Sequence, residues 1–321
     1  MDELLGYSPQ LTKEEIKKIY NNLSHEFSVK SFDEAIKQCN KLIKKYYSCF
    51  PFLLSMIQLL LNYSILAKTE AVKKQIFQQC ILLSRRVKDE SENISDIKDA
   101  NTKEALAEMA SGNSEEVIRL LDNELAPYSG DDVILVNAYR MQGKADQAKL
   151  VNQILLYNNI INTLTLLNNY LFLNVGKPVL FEKIYSQGLQ IIDSFQLTEI
   201  LTNDVFGIHI TAAQGYLTEQ RKEKAIDALE RYVDTVCKIQ FPLYFKGNEY
   251  FNQVVEWFED NNCIGTNTPI DEITIKKNFV DTIAKNPAFA PLKGDERYNL
   301  LVEKLKGKLG ETDGCHKYRK S

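Results

Sequence analysis

Glycine and proline are scarce in this chain, 14 and 8 among 321 residues. That shortage argues against turn-dense β architectures and low-complexity segments, and it favours long helices. Histidine is scarcer still. His25, His209 and His316 stand far apart, so a metal site would have to gather ligands from scattered places. The six cysteines (Cys39, Cys49, Cys80, Cys237, Cys263 and Cys315) form no CxxC pair and follow no signal peptide. They read as free thiols of a cytoplasmic protein. The phosphate-cradling GxGxxG and GxxxxGK[ST] loops are missing, as are the GxSxG elbow and the HExxH box. Acidic clusters occur at Asp131-Asp132 and from Glu256 to Asp260, but neither has metal-box spacing, and solvated helix ends account for them. His25 and Glu26 are sequence neighbours, about 100° apart on a helix, which is poor geometry for acid–base work. The expectation is a non-catalytic chain with no cofactor and no metal.

Excess charge of either sign is absent too. A net charge of -4 and a pI near 5.6 make the chain a poor candidate to grip a phosphate backbone by itself. One stretch, Tyr46 to Ala67, carries no charge. It is interrupted by Pro51, Ser55, Gln58, Asn62 and Ser64, so it reads as a buried helix and not as a membrane span.

What remains is helical periodicity. From Ile208 to Val236 the sequence reads as two amphipathic helices around a charged turn. Ile208, Ala212 and Tyr216 share one face, and Ala225, Leu229 and Val233 share the other. Tyr216 stands nine residues before Ala225, a spacing typical of tetratricopeptide hairpins. Such a hairpin cannot bury its own apolar face and needs stacked neighbours. Further pairs follow the same pattern. Thr12 with Glu15 and Ser31 with Glu34 are capping boxes that open the two helices of residues 12–46. Phe50 to Leu66 and Glu70 to Val87 make a second pair, and the polar run Lys88 to Asp99 reads as a loop or frayed helix end. Lys103 to Ala110 and Glu115 to Leu125 make a third, Val133 to Gln142 and Ala145 to Tyr157 a fourth, and Asn159 to Asn174 and Val179 to Phe195 a fifth. Gly143 precedes Ala148 by five residues, as Gly112 precedes Val117.

The predicted fold is all-α: tetratricopeptide-like repeats over 12–240 forming a right-handed superhelix, with capping helices over 241–309. Residues 1–11 read as a linker and 310–321 as a flexible tail. The aromatic block Phe241 to Phe258 reads as core or dimer contact, with a ligand pocket as the alternative.

From Leu150 to Gly176 there is again no charge, but amides are frequent. Asn158, Asn162, Thr165 and Asn169 fall on one helical face, with Tyr139 and Tyr170 nearby. Each amide offers a donor and an acceptor, which suits an extended peptide backbone. The competing reading is structural, with these side chains capping helices or bonding between them. These six residues are the candidate ligand contacts.

The opening Asp2-Glu3-Leu4-Leu5-Gly6-Tyr7 resembles the segment that closes the helix-turn-helix domain of XRE-type bacterial transcriptional regulators. Lys44 to Leu54, Ala212 to Leu217 and Asn286 to Lys306 resemble the carboxy-terminal regions of a Firmicutes branch of that family. The resemblance implies the regulatory and dimerisation module of such a regulator. It implies a homodimer, a signalling peptide or small-molecule effector, and DNA contact only through a domain not present in this chain. The alternative is a stand-alone tetratricopeptide adaptor for a protein or peptide partner.

Overall fold

The computed structural model describes residues 10–121, 130–200, 203–262 and 264–310. Every regular element among them is a helix, as the 3.6-residue period requires. Contacts divide the chain into two compact units, one of residues 1–129 with 259–271 and the other of residues 130–258 with 272–321.

In the first unit both capping boxes form. Thr12 and Glu15 bond reciprocally at the start of α1 (Lys13–Val29), and Ser31 and Glu34 do so at α2 (Phe32–Lys45). The uncharged stretch becomes α3 (Phe50–Tyr63), with Pro51 in its first turn, where no donor is lost. Phe52, Leu53, Met56, Ile57, Leu59 and Leu60 on α3 are buried, so this helix is the centre of the unit's core. No helix among the described residues is long and apolar enough to cross a membrane.

α4 (Glu70–Glu90) and α5 (Ile94–Ala110) leave only three residues between them. Of the two readings of Lys88 to Asp99, the loop is wrong, since only Ser91 to Asn93 lie outside the helices. Its polar residues are the solvated ends of two helices, with the Asn93 side chain capping α5. α6 (Ser114–Leu121) follows, and residues 122–125, expected to continue it, lie outside the described residues.

The chain returns to this unit late, through residues 259–271. Tyr20 Oη donates to the Pro269 carbonyl at 2.9 Å, and the Asp271 amide donates to Tyr63 Oη at 2.8 Å. Glu259 pairs with Lys17. Local periodicity contains no signal for this return, because it is held by long-range polar contacts.

The second unit holds α7 (Asp131–Met141), α8 (Ala145–Leu173), α9 (Pro178–Ser194), α10 (Asn203–Thr218) and α11 (Lys222–Cys237), with α13 (Glu272–Ala284) and α14 (Glu296–Leu309). α12 (Val254–Asn261) leads into the returning segment. α8 corrects the sequence reading. A break was expected at Asn158-Asn159, but 29 residues run as one helix. Neither glycine nor proline interrupts it, and Asn159 Nδ2 bonds the Leu155 carbonyl one turn back at 2.8 Å.

Three hairpin turns share one geometry. Gly112, Gly143 and Gln220 have φ of 83°, 71° and 58°. In each the next amide bonds back to the helix, Asn113 N to Glu108 O at 2.9 Å, Lys144 N to Tyr139 O at 3.0 Å and Arg221 N to Tyr216 O at 2.8 Å. This is a Schellman closure, in which the left-handed residue is best as glycine. Gln220 takes that conformation at a steric cost. Gln220→Gly is expected to raise stability by about 1 kcal/mol. A shift of the urea midpoint to higher concentration, followed through Trp257 in the same unit, checks this.

Part of the aromatic block packs as core around buried Phe251, while Tyr244 and Tyr250 are exposed. Tyr157 of α8 meets Phe245, Phe251 and Phe258 edge-on at 5.4, 5.5 and 5.6 Å between ring centres. Buried Gln153 is an amide with a structural role, bonded to Asn252 Oδ1 at 2.8 Å and to the Gln253 amide at 2.9 Å. Cys39 and Cys80 are buried in the first unit, and desolvation pushes each thiol up to about 12, which leaves them unreactive.

Candidate functional site

A solvent-open cleft of about 240 Å³ lies between α9 and α11, with Tyr216 of α10 contributing to its lining. Helical spacing brings the residues to one side. Glu182, Tyr185, Ser186 and Leu189 recur at i, i+3, i+4 and i+7 on α9, and Lys224, Asp227, Ala228 and Arg231 do the same on α11. The apolar part comes from Leu189, Ala228 and the rings of Tyr185 and Tyr216. Close helix approach behind it depends on Gly215, where an added Cβ would stand 2.4 Å from the Phe181 ring.

The polar rim is organised around two centres. At the first, Glu182 accepts from Tyr216 Oη at 3.0 Å and pairs with Arg221 and Lys224. Partial burial favours the neutral carboxyl, but bonds from Lys224, Arg221 and Tyr216 outweigh it and hold Glu182 below the usual carboxylate range. Arg221 also bonds Glu219 at 3.0 Å, and Glu219 accepts from the Gly176 amide at 3.0 Å. This network fixes the α8–α9 turn against the α10–α11 turn.

At the second centre, Tyr185 Oη lies 2.9 Å from Nδ1 of buried His209 on α10. Burial, aided by the charge of Arg231, pushes His209 down to about 4. The imidazole is therefore neutral at pH 7 and shares a hydrogen bond with the tyrosine hydroxyl through Nδ1. Its folded value lies below the ordinary value near 6.5, so the unfolded chain binds the extra proton first as pH falls. Stability is then full above about 6.5 and declines towards 4. The wild-type chain is expected to lose about 2 kcal/mol more than His209→Gln between pH 7 and 5. Urea titrations followed by Trp257 fluorescence at the two pH values measure that difference.

None of the six residues chosen from sequence lines this cleft. Asn158, Asn162, Thr165 and Asn169 form an exposed strip along uninterrupted α8. The Thr165 hydroxyl lies 2.8 Å from Asp204 Oδ1 and 3.0 Å from the Ile161 carbonyl. Tyr170 is exposed on the same helix, and Tyr139 is half-buried on α7. Sequence reasoning picked Tyr216 as a repeat marker but missed Glu182, Tyr185, Lys224 and Arg231 as a group. Their helical spacing was legible, but which faces of α9 and α11 meet was not.

One group has ligand types suited to a hard cation. Carboxylate oxygens of Glu104, Glu108 and Glu116 in the first unit lie within 4.8 Å of one another. Protein cations already pair with them. Arg85 bonds Glu104 at 2.6 Å and Glu108 at 3.2 Å, and Lys88 reaches the other Glu104 oxygen at 2.5 Å. The arrangement is an internal ion network.

No family model, curated protein or solved structure matches the chain.

Proposed function

We propose that this chain is the ligand-sensing and dimerisation module of a bacterial helix-turn-helix regulator, with its helical hairpins stacked as a right-handed tetratricopeptide-type superhelix. The observation that supports sensing most strongly is the open α9–α11 cleft, with a mixed polar and apolar lining and an ionic rim built by three successive helices. Small concave sites with few, fixed polar groups are where proteins hold small ligands. The thrice-repeated hairpin turn supports the repeat reading, and the sequence resemblance supports the regulator reading. In this proposal a short peptide or small effector settles between α9 and α11, favours one spacing of these hairpins, and shifts the population of dimer states that position attached DNA-binding heads. The module itself does no chemistry and touches DNA only through another domain.

The amide strip of α8 is a second surface for the same ligand. Its exposure and unbroken helical register favour it. Sedimentation velocity of the full chain, with and without a pool of random heptapeptides, tests the proposal. A dimer whose sedimentation coefficient changes with the pool supports it. A monomer unaffected by any pool overturns it.

A further inference from the structure

Among the described residues, Arg231, exposed on the cleft rim, enters no ion pair. Arg231 and Asp227 are four residues apart on α11, a spacing at which the two would ordinarily pair. Asp227 instead pairs with Arg297 of α14 at 2.9 Å, which also holds Glu223 at 3.0 Å and Glu230 at 3.4 Å. Lys224, the other cation of the lining, is held by Glu182. Among the described residues no carboxylate stands within ion-pair distance of the Arg231 guanidinium, which lines the cleft beside Tyr185 and Ala228. A planar guanidinium fork matches a carboxylate in two parallel hydrogen bonds. Next to it, partly exposed Leu189 offers apolar surface over a floor formed by buried Ala228 and Tyr185. The volume, about 240 Å³, holds a residue or two and not an extended peptide.

Resting on the sensing role assigned to this cleft, we infer that it captures the free carboxylate end of a short peptide, with Arg231 binding the carboxylate and Leu189, Ala228 and Tyr185 receiving an apolar terminal side chain. Arg297 is a positioning residue. It keeps Asp227 away from Arg231 and so keeps the fork open. Tyr185, bonded to buried His209 behind it, lines the cleft without adding charge that would repel or compete for the anion.

The test uses the full chain with labelled alanine and leucine methyls, so that Ala228 and Leu189 report from inside the cleft. The probes are N-acetyl-glycyl-leucine with a free carboxylate and the same compound as its terminal amide. The acid is expected to move both methyl signals with an affinity about tenfold tighter than the amide. Arg231→Met should remove that difference, Arg231→Lys should keep part of it, and Arg297→Met should narrow it by releasing Asp227. Equal affinity for acid and amide in the native chain overturns the carboxylate assignment and leaves the cleft a ligand site. A full tenfold difference in Arg231→Met overturns the role of Arg231. Neither probe moving the two methyls overturns the assignment and the sensing role together.

Discussion

Arg85→Met is expected to destabilise the first unit by about 3 kcal/mol. The Glu104 side chain is 1% exposed and that of Glu108 7%, so both carboxylates have given up nearly all their water. Their compensation is the cationic cluster, in which Arg85 alone serves both. Removing it leaves Glu108 with Asn113 Nδ2 at 3.0 Å and Glu104 with Lys88. The converse change is milder. Arg85 is about half exposed, so after Glu104→Leu its guanidinium can hydrate, and the loss should be about 1 kcal/mol. Amide hydrogen exchange over α4 and α5 distinguishes the two. Exchange in Arg85→Met should be far faster than in Glu104→Leu, and equal rates would mean that the network contributes little to stability.

Gly215→Ala should cost about 2 kcal/mol even though alanine is the better helix former by about 1 kcal/mol. The new Cβ would meet two ring carbons of Phe181, at 2.4 and 2.6 Å, and Val175 at 3.3 Å. Phe181 is fully buried and cannot swing aside, so α9 must move away from α10. Because α9 and α10 both line the cleft, peptide affinity should fall with stability. Phe181→Leu combined with Gly215→Ala should recover part of the loss, since the two changes share one contact. Thermal unfolding of the two single variants and the double variant measures the coupling. Simple additivity would place the strain elsewhere.

Helices were readable wherever apolar period and caps agreed. Thr12, Ser31 and the stripe on α11 show this. Misreadings came where composition stood in for geometry. Lys88 to Asp99 is polar because helix ends are solvated, and Asn158-Asn159 looks like a turn but sits comfortably on an exposed helical face. The cleft was the hardest part to read. Asp227 pairs with Arg297, far away in sequence, and no local spacing announces a charge arrangement that joins several helices.

The most direct measurement is hydrogen exchange by mass spectrometry on the full chain, with and without the random heptapeptide pool. Capture in the cleft predicts slower exchange in segments covering Glu182 to Leu189 and Lys224 to Arg231, with the effect lost in Arg231→Met. Protection confined to the Asn158 to Asn169 strip, or no protection anywhere, would contradict it.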